Sequence, residues 1–422
     1  GAGEVGAALT AHPSIGGVAF TGSTETAQII HRNIAEHLTP GTPFIAETGG
    51  LNAMIVDSTA LPEQAVQAIV ESAFQSAGQR CSALRCLYVQ EDIAPGFLEM
   101  LKGAMDALVV ADPWTYGTDV GPAIDAEARD AITTYVDAAD AEGRVMHRLP
   151  LPSGGTFVAP TLIKVRGIQD MKREVFGPVL HVAKFKSDEI DSVIDDINAT
   201  GFGLTFGLQT RIDDRVQHVS ERIEAGNVYV NRNQIGAIVG SQPFGGEGLS
   251  GTGPKAGGPH YLERFRRHAR DVEPGTWASK DQFERLKNAL RQAECNHSPQ
   301  STSLPGPTGE SNVITTQSRG PVLCLGPGAD AVERQTQAIA ALGGTAVTAR
   351  GSIEPGWLTE LPVHGALWWG DDDRARALRK ALADRDGPIL PLITDLPDHG
   401  HACAERHVCV DTTASGGNAQ LL

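Results

Sequence analysis

Short apolar runs alternate along this chain with longer amphipathic ones, and that alternation leaves few architectures open. "GGVAFTG" reads as a strand, 23 or 24 to about 38 as a helix, and "TPFIAETGG" and "LNAMIVD" as strands. The stretch 62–77 carries Val66, Ile69, Val70, Ala73 and Phe74 at the spacing of one helix face, and "LRCLYVQ" is a strand again. Strands separated by helices run parallel, because a crossover helix returns the chain to the edge from which it left. The pattern persists through "FVAPTLIKV", "GPVLHVAKF", a helix around 190–197, "FGLTFGLQT", a helix around 216–223 and "GNVYVN". The fold class is α/β.

From about residue 266 the character changes. Residues 293–320 are rich in Ser, Thr, Pro and Gly and read as a linker or surface loop. Beyond them "PVLCLGPG", a helix over 329–342, "GTAVTA", "HGALWWG" and a helix over 372–383 predict a small second α/β unit. "VLCLGPG" has no GK[ST] and no acidic ribose partner, so its reading is structural. Gly1, Gly3 and Gly6 spell GxGxxG, but the dinucleotide fingerprint needs a strand before it. Alone it reads as the glycine-rich start of a helix. The chain begins without a methionine, which leads to the expectation that it is part of something longer.

Charge and cysteine usage exclude several classes. A formal charge of −16 argues against a nucleic-acid or anionic-membrane surface, since phosphate binding draws on Lys and Arg. The six cysteines, at 81, 86, 295, 324, 403 and 409, form no CxxC pair. They suit neither a disulfide scaffold nor a zinc ribbon, so a reducing cytoplasm and no metal are expected. No apolar run approaches the ~20 residues of a membrane helix, and 41% hydrophobic residues is ample for an ordinary core.

Cys81, in "GQRCSALR", is where the chain first looks chemical. A thiol attacks only as thiolate, and so wants partial exposure and a positive potential or a base nearby. Cys86 lies inside the apolar "LRCLYVQ", where burial explains it; Cys81 follows a helix-to-strand turn led by Gly78 and has no such explanation. Glu47 ends a strand and is followed by two glycines, at the kind of strand end where α/β sheets bind ligands. "VAFTGSTETA" joins a strand to a helix capped by Ser23 or Thr24, a place for backbone donors to meet a phosphate. "REVFGPVL" sets Glu174 before an aromatic, a glycine and a proline. "QPFGGEGLSGTGPKAGGPHY" has enough glycine to wrap backbone N–H groups around an anion.

Taken together and in this order, "AFTGST", "ETGGLNAMIV", "GQRCSALR", "EVFGPVL" and "QPFGGEGLSGTGPKAGG" resemble the cofactor, base, nucleophile, ribose and closing-loop motifs of the aldehyde dehydrogenase superfamily, over residues 1 to about 270. "GQRCSALR", "YVNRNQIGAIVGSQPFGGEGLSGTGPKAGGPHY" and the final "HVCVDTTASGGNAQLL" are most similar to the L-glutamate γ-semialdehyde (Δ1-pyrroline-5-carboxylate) dehydrogenases of the bifunctional proline utilization A family. There a proline dehydrogenase precedes the aldehyde dehydrogenase in one chain. Residues 320–422 resemble the further domain of that family's long members.

The resemblance implies an aldehyde dehydrogenase fold: a truncated Rossmann-type NAD domain plus an α/β catalytic domain, with a C-terminal aldehyde-dehydrogenase-like α/β domain. The expected segments are 1–46 for the NAD domain and 47–230 for the catalytic domain. Residues 231–270 would form a closing and anchor loop returning to the NAD and oligomerisation region, 271–320 the linker, and 321–422 the C-terminal domain with its tail motif. Cys81 would be the nucleophile and Glu47, 34 residues earlier, the base. Thr21, Gly22 and Ser23 would lie at the pyrophosphate of NAD, Glu174 at the nicotinamide ribose and Phe176 near the ring. Ser82 and the N–H groups of Gly257 and Gly258 would hold the substrate's α-carboxylate. A homo-oligomer is implied, with a proline dehydrogenase domain in the same parent chain.

The family's oxyanion-hole asparagine, its adenosine-ribose lysine and the first strands of its nucleotide domain have no counterpart in these residues. These 422 residues alone are therefore expected to bind NAD+ poorly and turn over little. Two other readings stay open. A coenzyme A-acylating dehydrogenase would resolve the thioester with a thiol and have no need of Glu47, and a non-catalytic scaffold would keep the glycines and lose the nucleophile or the base.

Overall fold

Residues 2–266, 275–295 and 299–413 are described by the computed structural model. They belong to two compact units. The first gathers Gly1–Thr48, Pro243–Thr302 and Ile314–Arg406; the second gathers Gly49–Gln242, Ser303–Val313 and His407–Leu422. Among the described residues no helix is long and apolar enough to cross a membrane.

In the first unit, α1 (Ala2–Ala11) takes up Gly3 and Gly6 as helical residues, so the GxGxxG pattern is no phosphate loop; Gly1 lies outside the described residues. The strand β1 (Val18–Thr21) leads to α2 (Thr24–His37), and β2 (Phe44–Glu47) runs parallel to β1 with Thr21 beside Glu47. Ser23 starts α2 by accepting the Thr26 N–H at 3.2 Å, one of the donors a first turn leaves without a helical partner. The buried positions Ala27, His31, Ile34 and Ala35 line one face, which meets Phe44 and Ala46 of β2.

The small C-terminal sheet belongs to this same unit. Its four strands are parallel in the order Ala346–Thr348, Val322–Cys324, Gly365–Leu367, Leu392–Ile393, with the helices Ala329–Ala341 and Asp372–Ala383 as expected. Gln335 closes the "LGPG" loop by bonding both the N–H and the carbonyl of Gly326 at 2.9 Å, so the loop serves structure. Arg379 is buried at 4% exposure and donates to the Thr39 and Thr42 carbonyls at 2.9 and 2.8 Å, tying its helix to the turn after α2.

The second unit centres on a sheet whose core is parallel: Asn227–Val230, Thr205–Gln209, β3 (Ala53–Val56), β4 (Cys86–Gln90), Val179–Phe185 and Thr161–Lys164, in that order. Val145–Arg148 adds an antiparallel edge strand. Every residue of β3 and β4 is buried, which is why both read as continuous apolar runs rather than alternating ones. Between them lies α3 (Pro62–Phe74).

The sequence-based linker, 271–320, needs correction: it contains a helix, Phe283–Gln292, whose Leu286 and Leu290 are buried in the same apolar cluster as Leu323. Within 293–320 the chain forms two strands, Gln300–Leu304 and Glu310–Ser318, neighbours in the same sheet order. Thr, Val and Ile here favour strand, and the intervening Pro305-Gly306-Pro307 is turn chemistry that makes the whole stretch look like loop. Residues 271–274 and 296–298 of the expected linker, and 414–422 of the expected tail motif, lie outside the described residues.

Replacing Arg379 by Met leaves the Thr39 and Thr42 carbonyls without their donor inside a packed layer. The expected loss is about 1–3 kcal/mol of stability, visible as a lower midpoint in urea unfolding of the variant beside the wild type.

Candidate active site

The turn that carries Cys81 is built from unusual backbone. α3 stops at Phe74, short of the expected 77, because Ser76 (φ +56°), Ala77 (φ +54°) and Gly78 (φ +65°) are all left-handed. Two consecutive non-glycine residues in that region are costly and persist only where surrounding contacts fix them. At Gly78 no side chain fits, since a Cβ would lie 2.2 Å from the Gly177 carbonyl oxygen. Cys81 follows, half-buried.

Arg85 supplies the contacts that hold this turn. It is fully buried, and its Nη1 donates to the carbonyls of Gly78 (2.7 Å) and Gly177 (3.2 Å) while Nη2 donates to that of Arg80 (3.1 Å). Nε and Nη2 both reach Glu174 Oε1, at 3.1 and 2.9 Å. The Phe176 ring lies 5.2 Å from the guanidinium carbon and is about half exposed. Burial pulls the Arg85 pKa down, while Glu174 and the field of Cys81 push it back up. One cation thus joins the expected nucleophile to the two expected cofactor contacts.

Asn52, 2% exposed, pins the other side of the turn. Its Nδ2 donates to the Cys81 carbonyl at 2.7 Å and the Ala83 carbonyl at 2.9 Å, and its Oδ1 accepts the Thr205 N–H at 3.2 Å. Ser82 is buried; its hydroxyl lies 3.5 Å from the Ile235 carbonyl, a contact that binding a carboxylate would exchange. Neither Arg85 nor Asn52 stood out in the sequence as functional. The available signal was a charged and an amide residue each placed directly before a fully buried strand.

The other expected residues lie in the first unit. The end of β1 lies beside the end of β2, and the Gly22 N–H donates to the Glu47 carbonyl at 3.2 Å. That N–H therefore extends the strand pairing, and a phosphate at this turn would rely on the first-turn donors of α2. A Cβ at Gly22 would lie 2.4 Å from the Phe20 ring, which packs over this turn.

The Glu47 side chain enters a bay in the glycine-rich loop. Oε2 accepts the Gly246 N–H at 2.8 Å, and Cβ atoms added at Gly245 or Gly251 would come within 3.1 and 2.9 Å of its oxygens. The group that this loop wraps is the protein's own Glu47 carboxyl. Burial pushes the Glu47 pKa well above the usual carboxylate range; the Gly246 N–H and the charge of Lys255 oppose the rise, and Glu247 adds to it. Gly257 is left-handed (φ +71°), and the Gly258 N–H donates to the Lys255 carbonyl at 3.1 Å, within its own turn.

A thiol on a strained turn beside a buried cation in one unit, and a carboxyl of raised pKa at a parallel strand end in the other, are groups of the kind that covalent catalysis through sulfur uses. The chain belongs to the aldehyde dehydrogenase family, which residues 1–270 match. It is 42% identical over its whole length to the bifunctional protein PutA of Rhizobium meliloti, of which it covers 38%. A crystal structure of a variant of Bradyrhizobium japonicum proline utilization A matches 63% of the chain and 27% of its own, with 53% identity and a TM-score of 0.61. A 1-pyrroline-5-carboxylate dehydrogenase from Thermus, solved with bound NAD, matches 63% of the chain and 52% of its own at 36% identity and a TM-score of 0.58. The chain thus spans less than two-fifths of the length of the first PutA relatives.

Arg85→Met removes the donor shared by Gly78, Arg80 and Gly177 and the charge near Cys81. Alkylation of Cys81 by iodoacetamide at pH 7, followed by mass spectrometry, is expected to slow about tenfold. A Gly78→Ala variant, with no charge change, is expected to lose stability instead, by a few kcal/mol.

Proposed function

We propose that the protein oxidises L-glutamate γ-semialdehyde to L-glutamate with NAD+, as one activity of a cytoplasmic, homo-oligomeric protein that also carries a proline dehydrogenase domain. The observation that carries this reading is the Arg85 hub, which holds the Cys81 turn, Glu174 and Phe176 in one arrangement. The likeness to PutA and to 1-pyrroline-5-carboxylate dehydrogenase supplies the substrate.

The residues present suit a dinucleotide. The first turn of α2 behind Thr21, Gly22 and Ser23 offers backbone donors to a pyrophosphate. Glu174, oriented by Arg85, would take a ribose hydroxyl, and the exposed Phe176 ring would pack near the nicotinamide. When bound, NAD+ supplies the hydride acceptor.

The chain's own residues do the rest. The Cys81 thiolate adds to the aldehyde carbon, forming a C–S bond and an alkoxide. As the alkoxide re-forms the carbonyl, the C–H bond breaks with its electron pair and a thioester to Cys81 remains. Glu47 then takes a proton from water as the water oxygen bonds to the thioester carbon; the C–S bond breaks and thiolate is regenerated. Ser82, Gly257 and Gly258 would hold the substrate's α-carboxylate, the Gly258 N–H exchanging its bond to the Lys255 carbonyl for the ligand. Retention of both Cys81 and Glu47 favours hydrolysis over transfer to coenzyme A and catalysis over a scaffold.

NADH formation from L-glutamate γ-semialdehyde by the full-length protein tests the assignment. Cys81→Ala is expected to abolish it. Glu47→Gln is expected to leave one equivalent of NADH in a burst and a steady rate lower by about 10²–10⁴. Full turnover by Cys81→Ala would place the nucleophile elsewhere. Because Glu47 works only when ionised and its pKa is raised, the hydrolytic rate should fall with decreasing pH at values well above the ordinary carboxylate range.

A further inference from the structure

Lys255 is 2% exposed, an unusual place for an ammonium. It stands in the "GPKAGG" turn of the first unit, and its Nζ donates to the Gly245 carbonyl at 2.5 Å. Gly245 is also the residue against which Glu47 packs: a Cβ there would lie 3.1 Å from Glu47 Oε1 and 3.3 Å from the Lys255 Cα. Phe244 and Ala256 exchange backbone hydrogen bonds at 3.0 and 2.8 Å, which fixes the Lys255 turn against the Glu47 bay. The lysine backbone N–H is held by Glu405 Oε2 at 2.7 Å. A cation and a carboxylate are thus brought together by one glycine loop, away from bulk water.

The charges around the pair come from several elements. Glu47 feels Lys255 and Arg319 as opposite charges and Glu247 as a like charge. Lys255 feels Glu247, Glu47 and Glu405 as opposite charges and Arg406 as a like charge. Glu247 is itself paired with Arg319 at 3.1 Å. A buried carboxylate with one backbone donor on one oxygen and no hydrogen-bond partner on the other would rest protonated, and a protonated carboxyl cannot take a proton from water.

We propose that Lys255 is a positioning residue for Glu47: a buried ammonium that favours the ionised carboxylate over the protonated carboxyl inside the glycine bay, where it would act as base. The inference rests on the reading of Glu47 as that base. Burial acts on the two groups in opposite directions, raising the carboxyl pKa and lowering the ammonium's, and their mutual attraction offsets part of both.

The test uses the full-length protein and p-nitrophenyl acetate, an activated ester that acylates Cys81 directly. It needs no cofactor and carries no α-carboxylate for Gly257 and Gly258 to hold, so a damaged substrate anchor does not enter the readout. The nitrophenolate burst reports acylation and the steady rate reports hydrolysis, each measured across pH. In Lys255→Met the acid limb of the hydrolysis profile is expected to move up by roughly one pH unit, with the burst intact. Lys255→Arg, which keeps the charge, should restore the limb. Glu247→Gln removes a like charge and releases Arg319, so its limb should move down; Lys255→Gln, with the same upward shift expected as for Met, decides the matter should Lys255→Met not fold. A Lys255→Met profile with a lower plateau and an unmoved limb overturns the proposal, as does Lys255→Arg behaving like Met. If Glu47→Gln hydrolyses the acyl-enzyme at the wild-type rate, the assignment of the base itself falls.

Discussion

A guanidinium taken out of water is tolerated only when its donors are satisfied, and Arg85 meets that demand by gathering the elements around the Cys81 turn. The carbonyls it binds belong to Gly78, Arg80 and Gly177, and its carboxylate partner is Glu174. Satisfying Arg85 therefore fixes a left-handed turn that no local propensity favours, and that turn presents Cys81. The same ion pair aims Glu174. Lys could not replace it, since a single ammonium lacks the planar fork that reaches three carbonyls and a carboxylate at once.

The first unit solves a related problem with glycine. Glu47 ends a strand whose next turn must approach another loop closely, and only residues without a Cβ leave the carboxylate room at 245 and 251. The isolated bridge between Glu47 and Gly251 locks strand end to loop. One backbone N–H meets the carboxylate, and a buried lysine donates to a carbonyl of the same glycine loop, so a cation and a carboxyl share an environment shielded from water.

Sequence patterning located the parallel strands and their helices closely because their determinants are local or periodic. α2 starts at Ser23 and β4 follows the Cys81 turn as read. Where long-range pairing overrides composition, the reading failed: Gln300–Leu304 and Glu310–Ser318 look like linker and are strands. The end of α3 failed for the same reason, since Ala77 is a good helix former whose left-handed φ is imposed by what packs around the turn.

Sequence by itself determined the α/β class, the family to which the chain belongs, and Cys81 and Glu47 as the candidate nucleophile and base, because each is carried by residues adjacent in the chain. Only the tertiary structure decided that Arg85 and Asn52 hold the thiol's turn, that the glycine loop encloses Glu47, and that Lys255 shares its bay. Those contacts join residues up to about two hundred positions apart. A hydrogen bond or an ion pair depends on distance in space, and no pattern along the chain encodes which distant carbonyl a buried cation will meet.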